Sequence, residues 1–299
     1  MRDRYLVLSS SSLGYSLLSE DGKDVRLSRK RGKVSYREMA IVTGDVVTLD
    51  GQGFIEAVLP RLSFLPRPRL ANAEEILVIC SLKKPDLSFY LLDKFLALVN
   101  HSGIHAGIVV TKADLASETE REACRKALAY YEGLGYPVFL LSALERESLD
   151  FPSLIDHLAG KKVAFMGQTG VGKSTLLNTI DPTLKRKVDA LYPEVNRGRH
   201  TTKETVLIPF GTSLLYDTPG FSDFRLMDMN EVELATFFPG FENLSRDCLF
   251  KDCLHLPSSK GCAIVKAVSE GRLPEEGYRD YLKINEEVKE ESRWKKKKG

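Results

Sequence analysis

Residues 167–174 read Gly-Gln-Thr-Gly-Val-Gly-Lys-Ser, and these types at this spacing suit the grip of a nucleoside triphosphate. The glycines let backbone N–H groups converge on phosphate oxygens. Lys173 is placed to neutralise the β- and γ-phosphates, and the Ser174 hydroxyl suits Mg²⁺. An apolar segment precedes the run and a helical pattern, Thr175–Ile180, follows, which is the context such a loop requires. Gly167, Gln168, Thr169, Gly170, Val171, Gly172, Lys173, Ser174 and Thr175 are therefore the expected phosphate contacts. Further on, Asp217-Thr218-Pro219-Gly220 follows an apolar stretch. Asp217 is expected to hold Mg²⁺ through a water, and the Gly220 amide to sense the γ-phosphate. Between the two motifs lies Gly198-Arg199-His200-Thr201-Thr202. A threonine hydroxyl and carbonyl at Thr201 and Thr202 can reach the metal when the γ-phosphate is present, with Thr202 joining Ser174 as magnesium ligand.

A base-recognition loop, Thr111-Lys112-Ala113-Asp114, occurs earlier in the chain. The Asp114 carboxylate can accept from guanine N1–H and the exocyclic amine, a donor pair that adenine lacks, so GTP is expected and ATP rejected. Ser142-Ala143-Leu144 at the next strand end suits backbone contact with the base oxygen. The usual first residue of such a loop is Asn. Thr111 offers one hydroxyl instead of an amide, which bears on affinity more than on base choice. Ordinary G domains place the phosphate loop before the base loop. Here the base loop comes first.

The position after the Asp217–Gly220 motif, where a glutamine can orient the attacking water, holds Phe221. Phenylalanine neither donates nor accepts, so intrinsic hydrolysis should be slow. His200 is the nearest candidate for the catalytic role, with polar packing as its bland alternative.

Cys248, Cys253, His255 and Cys262 bring three thiolates and one imidazole into fifteen residues. Soft S and N donors in this number suit one tetrahedral Zn²⁺ with no open position, a structural site. Cys80 and Cys124 are isolated and read as core or helix residues. His101, His105 and His157 carry no motif and read as ordinary core or surface side chains.

These motifs need elements to hold them. The 299 residues exceed one typical domain. Residues 1–68 show short β patterns at Tyr5–Leu8, Tyr15–Leu18, Asp24–Leu27, Met39–Val42 and Asp45–Leu49, punctuated by glycine. They predict an OB-like β-barrel, with an SH3-like barrel fitting the same pattern. A basic stretch, Arg26, Arg29, Lys30, Arg31, Lys33 and Arg37, with Tyr36 within it, suits phosphate and base contact. Pro66-Arg67-Pro68-Arg69 reads as a stiff linker. Residues 69–228 alternate strand and helix, with strands at Ile76–Ser81, Gly107–Val110, Pro137–Leu141, Lys162–Met166, Glu204–Ile208 and Ser213–Tyr216. They predict a mainly parallel α/β P-loop G domain, circularly permuted. Residues 229–299 read as a mainly helical zinc domain ending in Arg293–Lys298, an RNA-binding extension or a solubilising end.

Charge follows this division. Residues 1–70 carry 12 Lys/Arg and 8 Asp/Glu, residues 240–299 carry 13 and 11, and the middle 18 and 22. Basic flanks around an acidic centre suit contact with a polyanion, although ordinary surface charge has the same magnitude. The first residues lack the apolar core of a signal peptide, and no apolar run reaches bilayer length. A cytoplasmic, monomeric protein without membrane association is expected.

The chain resembles the circularly permuted, ribosome small subunit-dependent GTPases of the RsgA family over nearly its whole length. Gly44-Asp45-Val46-Val47, Arg67-Pro68-Arg69-Leu70-Ala71-Asn72, Pro85 with Leu91-Leu92-Asp93-Lys94-Phe95-Leu96, the 198–202 and 217–221 motifs and the Cys/His cluster carry the likeness in order. Thr111 and Gln168-Thr169 depart from the family pattern. The resemblance implies a GTPase that binds the small ribosomal subunit and acts in its late maturation, with hydrolysis stimulated by the subunit. It implies rRNA contacts from the barrel and zinc domain, and a catalytic role for His200. The competing reading is a GTP-regulated RNA-binding module acting on another RNA, such as transfer RNA.

Overall fold

The computed structural model describes residues 3–32, 34, 40–142, 144, 150–183, 205–218 and 229–298. The chain opens with five strands: β1 (Arg4–Ser11), β2 (Gly14–Ser19), β3 (Val25–Ser28), β4 (Val46–Leu49) and β5 (Ile55–Val58). They pair antiparallel in the order β3-β2-β1-β4-β5, and a parallel bridge from Lys30 to Ile55 brings the two ends of the sheet together. This is the partly open Greek-key barrel of an OB fold. Tyr5, Val7, Leu17, Val47 and Ile55 alternate inward and enclose a small core with Ile41.

The expected strand at Met39–Val42 is not formed. Met39 lies outside the described residues, and residues 40–42 carry no strand pairing although Ile41 and Val42 are buried. The Val42 N–H donates to the Asp45 carboxylate at 2.8 Å instead of to a neighbouring strand. The fifth strand is Ile55–Val58, and Ile55 is its fully buried residue. Pro66–Arg69 is likewise not an extended linker. It forms the turn of a hairpin, β6 (Phe64–Pro66) and β7 (Arg69–Ala71), with Arg67–Pro68 cis.

The central sheet has six strands: β8 (Glu75–Ser81), β9 (His105–Thr111), β10 (Val138–Leu140), β11 (Lys162–Gly167), β12 (Val206–Phe210) and β13 (Ser213–Asp217). Their order is β10-β9-β8-β11-β13-β12, parallel throughout except for the β12–β13 hairpin at one edge. β8 is buried along its whole length, the reading of a near-continuous apolar run covered on both faces. The helices α1 (Phe89–His101), α2 (Glu118–Gly133), α3 (Phe151–Leu158) and α4 (Lys173–Ile180) connect the strands. Ser117 and Glu120 form a capping box at the start of α2, which fixes where the chain leaves the base-recognition segment.

The C-terminal part contains α5 (Glu231–Phe237), α6 (Glu242–Ser245), α7 (Ala263–Ser269) and α8 (Glu275–Lys298). The rings of Phe238, Phe241 and Tyr281 pack tilted and edge-to-face at centroid separations of 4.8–5.2 Å. Their apolar cluster is continuous with that of the central sheet. α8 lies on α1, where Lys94 and the Tyr90 hydroxyl both bond to Glu287. The basic end 293–298 is backbone continuation of α8.

Candidate nucleotide site and metal centre

The parallel strands end together at Ser81, Thr111, Leu140, Gly167 and Asp217, so the loops that follow share one edge of the sheet, where ligands of open α/β sheets bind. Gly167 closes β11. A Cβ there would strike the Ile79 carbonyl oxygen of the adjacent strand, so only glycine fits. Gly170 and Gly172 adopt φ of +85° and +94°, which turns the loop back on itself before α4 begins at Lys173. Thr169, Gly170, Ser174 and Thr175 are exposed along the open side, Gln168 and Gly172 partly so, and Val171 is buried beneath.

The base loop is bound directly to this turn. The Thr111 side chain is fully buried, and its hydroxyl lies against the carbonyls of Val171 and of Cys80, the latter at 3.1 Å. The Lys112 ammonium donates to the Gly170 carbonyl at 2.6 Å and to the carbonyl of Lys84. Lys112 adopts φ of +58°, and Asp114 follows in a single 3₁₀ turn, Ala113–Leu115. The Ala113 N–H donates to Leu141 at 3.2 Å, which sets the base loop beside the chain entering Ser142. Asp114 is exposed, and its carboxylate pairs with no described side chain. Ser142 is buried, and its hydroxyl accepts from the Leu144 N–H at 3.3 Å.

Lys173 is buried, with its ammonium 3.1 Å from Asp217. β11 and β13 run side by side with Phe165 opposite Asp217, and the Thr218 hydroxyl donates to the Phe165 carbonyl at 2.5 Å. The two charged groups expected at the phosphates and the metal thus face each other. Ala143, His200, Thr201, Thr202, Gly220 and Phe221 lie outside the described residues, as do Lys33, Tyr36 and Arg37 of the basic stretch. Of the remaining basic residues, Arg26 bonds to Asp24 and covers the Tyr5 ring, and Arg29 donates to the Leu13 carbonyl. Arg31 donates to Gln52. These three cations also serve the barrel itself.

The second site is the cluster of Cys248, Cys253, His255 and Cys262, whose ligand atoms all lie within 4.8 Å of one another. The His255 Nδ1 is 3.4 Å from the Cys262 sulfur and 3.6 Å from that of Cys248. Tyr278 and Tyr281 donate their hydroxyls to the carbonyls of His255 and Leu254 at 2.7 and 2.6 Å, which fixes the backbone where His255 turns through φ of +51°. Burial pushes His255 down to about 4, against a hydrogen bond with the Ala235 backbone, so at neutral pH it keeps a lone pair. Burial pushes Cys262 up to about 12 in the metal-free chain, so a metal must expel that proton on binding. Four soft donors converging around one point can hold a metal ion.

Several contacts were not legible in the motifs. The buried Glu75 accepts from His157 at 2.8 Å and Lys161 at 3.3 Å, so His157 is a partner of a core carboxylate. The Lys84 carbonyl joins the nucleotide site through Lys112. Its φ of +52° marks the bend, but nothing in the local sequence foretells it. A cavity of about 420 Å³ near Asn100, Tyr136 and Phe237 opens at the opposite edge of the sheet, away from the phosphate loop.

A strand–loop–helix phosphate turn clipped to a base loop that precedes it in the chain defines a circularly permuted P-loop GTPase. The RsgA GTPase family model matches residues 58–227. The small ribosomal subunit biogenesis GTPase RsgA of Shouchella clausii is 35% identical over 284 residues, covering 94% of this chain and 96% of that one. Its Bacillus subtilis counterpart is 36% identical over 277 residues, covering 91% and 92%. Among solved structures, the circularly permuted GTPase YloQ superposes with a TM-score of 0.80 at 30% identity over 97% of this chain and 96% of its own. YjeQ from Thermotoga maritima does so with 0.81 at 31% over 96% and 99%. The chain belongs to the RsgA GTPase family.

Replacing Thr111 by valine keeps the shape but leaves the Val171 carbonyl unpaired. The affinity for GDP, read from a fluorescent analogue, should fall about tenfold. Unchanged affinity would show that the hydroxyl does not hold the loop.

Proposed function

We propose that this GTPase of small ribosomal subunit biogenesis binds GTP across the clipped loops and hydrolyses it when the small subunit engages it. The observation that carries the reading is the bonding of Thr111 and Lys112 to the phosphate turn, which sets the base reader at a fixed distance from the phosphate cradle. Asp114 reads guanine, and Ser142 with Ala143 contacts the base oxygen. The amides of 167–175 hold the phosphates. Lys173 leaves Asp217 for the β- and γ-phosphates, and Asp217 is then free to hold a magnesium-bound water. Ser174 and Thr202 ligate Mg²⁺, Thr201 flanks that ligand, and Gly220 senses the γ-phosphate. His200 acts on the attacking water in place of the glutamine that Phe221 displaces.

Cys248, Cys253, His255 and Cys262 hold one zinc ion, the choice favoured by three thiolates and an imidazole with no open position. The three units are 1–68, 69–228 and 229–299, the first and last meeting ribosomal RNA. The protein works as a monomer in the cytoplasm. Among the described residues no helix is long and apolar enough to cross a membrane.

Turnover of GTP should rise at least about tenfold with isolated small subunits, and not with large subunits or transfer RNA. His200→Ala should lose that rise while still binding GTP. Stimulation by transfer RNA alone would favour the competing RNA-binding reading. Asp114→Asn should transfer preference from GTP to xanthosine triphosphate, as measured by competition binding, and retained GTP preference would displace Asp114 as the base reader. Elemental analysis should find one zinc per chain. Its removal by chelator should lower the melting temperature, more readily as pH falls and protons compete for the thiolates. A chain free of zinc with an unchanged melt would refute the assignment.

A further inference from the structure

The barrel is joined to the nucleotide domain at one densely bonded point. The Thr43 hydroxyl, buried, donates to the carbonyl of Thr205 at 2.7 Å. The Ala71 N–H donates to the Thr43 carbonyl at 2.9 Å, and the Ala71 carbonyl accepts from the Tyr216 hydroxyl at 2.7 Å. The Asn72 side chain donates to the Gly44 carbonyl at 2.8 Å. Gly44 has φ of +91°, and a Cβ there would overlap the Ala71 carbonyl and the Tyr216 hydroxyl, so only glycine lets the two units approach this closely.

The joint is stiff on the barrel side. The Asp45 carboxylate, fully buried, accepts from the Val42 N–H and from two nitrogens of Arg61 at 2.7 and 2.8 Å. The Gly44 N–H and the Asp45 carbonyl both bond to Val7 of β1 at 2.8 Å. Displacement of Thr205 is therefore passed to the barrel wall with little local give.

On the other side the joint grips the nucleotide site at its margin. Thr205 stands one residue before Val206, and Val206 pairs with Asp217 across the β12–β13 hairpin. Tyr216 is the residue before Asp217. The hydrogen bond from Thr43 thus fixes the residue that enters β12, directly beside Asp217.

We propose that Thr43 is a positioning residue for GTP hydrolysis. Through the Thr205 carbonyl it sets the start of β12 against Asp217, and it couples the RNA-facing barrel to the nucleotide state. The coupling rests on the proposed role of Asp217 at magnesium. It is reciprocal: whatever GTP does to the barrel, a partner held by the barrel does to the GTP site.

Hydrogen exchange of the full chain tests this, with Mg²⁺·GDP compared against a non-hydrolysable GTP analogue. In the native chain, peptides over 206–210 and over 41–47 should both change protection between nucleotides. Thr43→Ser should respond alike. In Thr43→Val the 206–210 response should persist while that of 41–47 is lost, and kcat with small subunits should fall about tenfold with KM for GTP little changed. A response at 206–210 with none at 41–47 in the native chain overturns the coupling alone, as does an unaltered barrel response in Thr43→Val. No nucleotide difference at 206–210 in any variant overturns the coupling at its nucleotide end.

Discussion

A loop that turns its N–H groups inward toward phosphate turns carbonyls outward, and buried carbonyls need donors. Here the outward carbonyls of Gly170 and Val171 are met by Lys112 and Thr111. The segment proposed to read the base therefore also completes the hydrogen bonding of the phosphate turn. That double duty requires the ends of β9 and β11 to stay near each other, with β8 between them. It constrains the sheet order and says nothing about chain order. A permuted chain satisfies it as well as an ordinary one, which is why the base loop can precede the phosphate loop without loss of the site.

The permutation changes what the site is attached to. In this chain β12 and β13 form the edge hairpin; the barrel's Thr43 bonds to Thr205 at that edge, and Ala71, itself bonded to Thr43, accepts from Tyr216. The segment beyond Asp217 leads to α5, and just past it the Phe241 ring meets His255 of the Cys/His cluster edge-on at 5.3 Å. Lys94 and Tyr90 of α1 also clasp Glu287 of α8. Both flanking units thus meet the nucleotide domain through these polar bonds as well as through the shared apolar core.

Much of this was legible from residue types and spacing. All six strands of the central sheet were anticipated, because long buried runs such as Glu75–Ser81 leave an unambiguous apolar signal. The Cys/His cluster was legible because its four ligands are close in sequence and also meet in space. The barrel was less so. Ile41 and Val42 look like a strand, but Asp45 captures the Val42 N–H, and the pairing passes to Ile55–Val58. Arg67-Pro68 reads as linker because proline stiffens a chain, while the turn it makes depends on Phe64 pairing with Ala71. The clip itself was hidden. Thr111 appeared as a weaker substitute for asparagine, yet its hydroxyl is enough to reach Val171. The contacts of Lys84, Thr43 and Thr205 join residues far apart in sequence, and no local pattern encodes them.

If the permuted segments assemble one pre-formed guanine nucleotide site held by the Thr111 and Lys112 bonds, a crystal structure of the chain with Mg²⁺·GDP will show it. The β-phosphate should lie on the amides of the phosphate loop and guanine on Asp114. Lys173 should be released from Asp217, with the bonds to Gly170 and Val171 kept. A nucleotide bound elsewhere, or a phosphate loop that has rebuilt itself away from Thr111 and Lys112, would contradict it.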